Sequence, residues 1–198
     1  MGGRVLLGPG FENLCRRARP DELEAIPELG WVVEAQGLPN LVHEFIHALF
    51  LGALADDHGF DYGEIPLDME RPEHRRHLWE EMVCCGASAA ICAPLHPSPS
   101  AFVRDWFTEQ FEIQGVFHGL EHDLDAFRAH IDRQMRRPDR LAELDAAVER
   151  AYARLDEAMA EVGGPALPRC DLRAIWRDYR DLHASETHQT LVGSHSGP

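Results

Sequence analysis

His43-Glu44-Phe45-Ile46-His47 sets two imidazoles four residues apart with a carboxylate beside the first. On a helix, residues at that spacing are separated by about 40° around the axis, so both rings project from one face. They can then supply two nitrogens to one metal ion at about 2.0–2.1 Å. Glu44, a quarter turn away, can reach a water bound to that ion and act as its general base. The flanking residues Leu41, Val42, Phe45, Ile46, Leu49 and Phe50 are apolar. Burying two His and a Glu among them without partners is costly, which favours a metal over a pair of hydrogen-bonded core histidines.

Two nitrogens do not complete a site. The extended HExxHxxGxxH form is absent, because Phe50 stands at the Gly position and Ala53 at the third His. His58 is too far along the chain for that geometry. A di-iron bundle needs a second ExxH, and only Glu44–His47 fits one. What remains is a carboxylate from a later helix. Glu81 precedes Cys84, Cys85, Ala89 and Cys92 at spacings that share one apolar face, which makes it the preferred third ligand. Glu80, about 100° round the helix, is expected in solvent. Glu109 and Glu112, three residues apart on the next helix, are the rival donors, otherwise a solvated face. His74, His77, His118 and His122 read as surface. The cysteines read as small apolar filling under the site, with direct ligation by Cys84 or Cys85 the lesser option.

These residues need helices to position them. The pattern predicts a nearly all-apolar helix over Leu41–Ala55 and a second over Pro72–Cys92. A third follows from Pro99 to Phe117, capped by Ser98. Residues 56–71 carry Gly59, Gly63, Pro66 and several Asp, and read as a loop. Amphipathic helices are expected over 121–136, 139–161 and Leu172–His183. Residues 1–38 are irregular or form a minor β region, with Val5–Leu7 and Trp31–Val33 as short strands. The expected class is mainly α (α+β): one domain over 1–183 and a disordered tail over 184–198.

Composition narrows the chemistry. The chain has 198 residues and a net charge of −15, which repels nucleic acid. All 19 basic residues are Arg, which excludes a lysine Schiff base and a Walker-type phosphate loop. Five Cys without a CxxC pair argue against a disulfide framework or a Cys-based zinc ribbon. No apolar run is expected to span a membrane and the N-terminus lacks a secretory segment, so the expected setting is the cytoplasm.

An ordered series of segments resembles the elongation factor P hydroxylases. Ala35-Gln36-Gly37-Leu38 is similar to that family's AHGF, and Leu41–His47 resembles its ALHEISH, with Gly52 where a Gly follows. Asp61-Tyr62-Gly63 resembles its DFG, and Glu81 aligns with the Glu of its EVKPQAL. Cys92 aligns with a later Cys, and Phe102-Val103-Arg104 resembles an FxR. The likeness spans roughly residues 35–130. Two departures lie beside the site: Ala48 replaces a Trp, and Met82-Val83-Cys84 stand for Lys-Pro-Gln.

The resemblance implies a zincin-like fold holding non-haem iron, Fe(II)/Fe(III), through His43, His47 and Glu81, with O2 bound at open positions. Asp61 and Tyr62 would then orient ligands or substrate from the loop, and Glu44 would support the ligands or relay a proton. Three functions are open at this point. One is an iron hydroxylase or monooxygenase acting on a small molecule or a protein side chain. Another is a minimal HExxH peptidase using Zn2+, with Glu44 as base. The last is a non-catalytic metal-binding protein.

Overall fold

The computed structural model describes residues 2–51, 69–117 and 123–193. The fold is mainly α with a small sheet: among the described residues there are seven helices and three strands. In chain order the elements are β1 (Gly2–Leu7), β2 (Leu14–Arg17), α1 (Pro20–Ala25), β3 (Leu29–Ala35) and α2 (Leu38–Leu51). Then come α3 (Pro72–Cys92), α4 (Pro99–Phe117), α5 (Leu124–Met135), α6 (Pro138–Glu161) and α7 (Leu172–Gly193). Proline opens α1, α3, α4 and α6, where a missing N–H costs nothing and the fixed φ suits the first turn. Asp123 caps α5 through the Ala126 amide at 3.0 Å, and Asp171 serves Ala174 in the same way at 3.0 Å.

The sheet runs β1-β3-β2, with β1 parallel and β2 antiparallel to the central β3. Val32, Val33 and Ala35 of β3 are fully buried. α2 packs on β2 and β3 with one side and on α3 and α6 with the other. α3 is the central element, in contact with α2, α4, α6 and α7. Every residue from Leu78 to Ala89 is buried, which small side chains make possible. A Cβ on Gly86 would come within 2.6 Å of the Leu172 side chain, so glycine lets α7 approach there. Phe107, Phe111, Phe127, Trp176 and Tyr179 fill the space between α4, α5 and α7 with edge and stacked contacts.

The helices over 72–92 and 99–117 lie where the sequence places them. Other expectations need correction. The minor β region includes a further strand, β2, beyond the two expected, and the short helix α1 forms where none is expected. α7 continues to Gly193, past the expected helix end at His183. Pro72–Leu95 does have the length and hydropathy of a membrane-crossing segment. However, 78% of that window is buried against the rest of the protein, the pattern of a core helix. Glu80 is buried rather than solvated, 3.7 Å from Arg150 of α6, because this half of α3 is enclosed on all sides. His74 and His77 are half-buried rather than exposed, on a turn that α6 covers through the Arg75–Glu143 ion pair.

Candidate metal centre

α2 and α3 pack side by side and bring His43, His47 and Glu81 together, each at most 4% exposed. The two Nε2 atoms are 3.1 Å apart. Glu81 Oε1 lies 3.4 Å from His43 Nε2, and Glu81 Oε2 lies 3.0 Å from His47 Nε2. Donors held about 2.0–2.1 Å from one ion stand roughly 2.9–3.4 Å apart, the octahedral edge at the short end and the tetrahedral edge at the long end. The three separations fall in that range, with His43 facing one carboxylate oxygen of Glu81 and His47 the other. One of the buried polar atoms, His43 Nδ1, has no hydrogen bond, and Glu81 Oε2 faces the His47 imidazole at 3.0 Å. A carboxylate buried against imidazoles is costly, and a cation between the three side chains satisfies it. This is a buried cluster able to hold a metal ion.

The electrostatics agree. Burial opposes ionisation of Glu81, but the two facing imidazoles hold its carboxyl well below the usual range. At His43 burial works against the charged form and is outweighed by the Glu81 carboxylate, so the imidazole is pushed up. Glu44 is also buried and lies in the field of His43, His47 and Glu81; desolvation pushes its carboxyl up. The Cys15 backbone amide of β2 donates a hydrogen bond to Glu44, which ties the HExxH helix to the sheet. Burial, and then the Glu44 charge, push the Cys15 thiol up to about 12.

Of the residues singled out in the sequence, His43, Glu44, His47 and Glu81 meet in one place. Glu109 is exposed, and Glu112 is engaged elsewhere with Arg128, Tyr179 and His183. Asp61, Tyr62, Gly52, His58, His118 and His122 lie outside the described residues. Two contacts escaped the sequence reading. Cys84 Sγ lies 3.4 Å from His47 Nδ1, and Cys85 Sγ lies 3.4 Å from Glu81 Oε1. Their i+3 and i+4 spacing from Glu81 is the signal that could have revealed them, since it places both beside the same ligand. The Cys15 amide had no such signal, because a backbone donor leaves no mark in residue type.

No family model, no curated protein and no solved structure matches this chain. The functional reading therefore rests on the geometry of the site.

Proposed function

We propose that this chain is a metal-dependent enzyme whose ion is held by His43, His47 and Glu81. In this reading the ion is iron, and the reaction is hydroxylation or monooxygenation of a small molecule or a protein side chain, with O2 as co-substrate. The observation that carries it is the convergence of two imidazole nitrogens and one carboxylate from adjacent helices, with no fourth protein donor among the described residues. When bound, iron in such a site supplies positions at which O2 and substrate can be activated. The chain's own residues orient the donors and keep bulk water from them. The ordered resemblance of the sequence to the elongation factor P hydroxylases supports iron over other metals. Ala48 and Met82-Val83-Cys84, the departures from that family, stand beside the ligands and bear on substrate choice.

A zinc peptidase is the second reading, favoured by Glu44. Its carboxyl is buried next to His43 and pushed up by desolvation, toward the range a general base uses. Against it, Glu44 is already engaged by the Cys15 amide.

Elemental analysis of untagged protein, purified without added metal and again after anaerobic Fe(II) loading, separates these readings. About one iron per chain, lost in His43→Ala, supports the oxygenase; retained zinc that Fe(II) does not replace supports the peptidase. Glu44→Gln adds a kinetic arm. The oxygenase reading expects metal and O2 consumption to survive within about tenfold, whereas loss of a general base costs about 10²–10⁴-fold in turnover. Bound metal with neither activity would leave a non-catalytic metal protein.

A further inference from the structure

Two thiols stand against two different ligands of this centre. Cys84 Sγ is 3.4 Å from His47 Nδ1, Cys85 Sγ is 3.4 Å from Glu81 Oε1, and both cysteines are 0% exposed. Both sit one helical turn past Glu81 on α3, so a single rigid element carries a ligand and two supports. We propose that Cys84 and Cys85 are positioning residues of the metal centre. Cys84 fixes the tautomer and ring plane of His47, and Cys85 fixes the rotamer of Glu81. The inference rests on the metal-centre reading and deepens it.

The geometry assigns the roles. In imidazole, Nδ1 and Nε2 lie on opposite sides of Cε1. A sulfur against Nδ1 is therefore behind the ring, away from the face where Nε2 meets His43 and Glu81. Cys84 is accordingly not a ligand of the ion that Nε2 would bind. With an ion on Nε2 the ring proton sits on Nδ1, and the Cys84 sulfur is placed to accept it. Cys85 plays the opposite part, its S–H donating to Oε1, the oxygen nearer His43.

Carboxylates and carbonyls are the usual groups behind a metal-bound His, and a thiol sulfur is a weaker acceptor than either. The ion is thus held less tightly than behind a carboxylate. His43 lacks even this support, since its Nδ1 is buried without a hydrogen-bond partner. Cys84 is then the side chain that orients one of the two rings.

The test uses the full chain stripped of metal by chelation and titrated with Co(II), whose visible bands report ligand geometry. Cys84→Ala and Cys85→Ala should each bind Co(II) about 10–100-fold more weakly with shifted bands. Cys84→Ser and Cys85→Ser should recover most of that affinity, because a hydroxyl can accept or donate in the same place. Cys92→Ala, buried on the same helix but touching neither ligand, should match the wild type. Nitrogen-15 spectra of the histidine rings in the Zn(II)-loaded protein give a second readout: the His47 Nδ1–H should be hydrogen-bonded, and Cys84→Ala should shift its resonance. If Cys84→Ala does not fold, Cys84→Ser decides. A folded serine variant that keeps near wild-type Co(II) affinity and a hydrogen-bonded His47 Nδ1–H supports the proposal, and one that loses both overturns it. Wild-type Co(II) affinity, bands and His47 Nδ1 resonance in both alanine variants would overturn the proposal while leaving the metal centre intact. A wild-type chain that takes up no metal, Co(II) or Fe(II), would overturn the metal reading itself, and the positioning roles with it.

Discussion

Glu81 on α3 and Glu112 on α4 look alike in the sequence, as acidic residues on helices that follow the HExxH segment. Their surroundings differ. Glu112 is ion-paired with Arg128, accepts from the Tyr179 hydroxyl at 3.1 Å and has His183 at 3.4 Å. Arg128 also donates to Tyr179 Oη at 2.7 Å, so charge and hydrogen bonds in that region are matched within the protein. Glu81 faces two imidazoles and a thiol, and no arginine among the described residues pairs with it. A carboxylate with a guanidinium partner is neutralised by the fold itself. One that faces imidazoles is neutralised by a proton that they take up or, once that proton is displaced, by a metal cation from outside.

The largest expected effect breaks the pair apart on metal binding. Glu81→Ala should weaken metal affinity by more than about 100-fold, beyond what removing a supporting hydrogen bond costs. Glu112→Ala should leave affinity unchanged, and metal titration of the two variants side by side measures both. The reverse result would move the site to α4 and remove the contrast.

Stability should order the two regions the other way. Glu112→Ala leaves Arg128, only 14% exposed, without its nearest carboxylate, although Tyr179 and Asp125 remain to it. The expected loss is about 1–3 kcal/mol, typical of a hydrogen bond to a charged group. It should be the same with and without metal, read from urea midpoints. Glu81→Ala should lower stability mainly when metal is present, because what it removes is the linkage between metal binding and folding. A metal-dependent cost in Glu112→Ala would mean that the two regions are coupled.

Much of this arrangement was legible in the residues. His43 and His47 announce themselves by spacing, and Glu81 by the apolar face it shares with Cys84, Cys85 and Cys92. The boundaries of α3 and α4 follow from Pro72 and Pro99, whose fixed φ marks a first turn. β2 was not legible, because Leu14-Cys15-Arg16-Arg17 is short and carries two charges. It is a strand because β3 offers it a ladder and because Arg16 reaches Glu22 and Glu34. Glu80 was misplaced for a related reason. Helical periodicity assumes one wet face, and α3 has none between Leu78 and Ala89.

The smallest expected effect sharpens the contrast from the arginine side. Asp132 on α5 pairs with Arg136 at 2.6 Å and with Arg180 of α7. Burial acts to raise its carboxyl, and the two guanidinium groups, Arg180 first, outweigh it, so the carboxyl is lowered. A carboxyl lowered in the folded state contributes stability that is fully present above its unfolded value of about 3.9 and disappears as pH falls through the folded value. Asp132→Asn should therefore unfold at lower urea than the wild type at pH 7. The difference should close as pH falls below about 4, once the wild-type carboxyl is protonated as well. A difference that stays constant down to pH 2.5 would mean that Asp132 acts through packing or neutral hydrogen bonds. The α5–α7 contact would then no longer be an example of charge matched within the fold, and the contrast with Glu81 would rest on Glu112 alone.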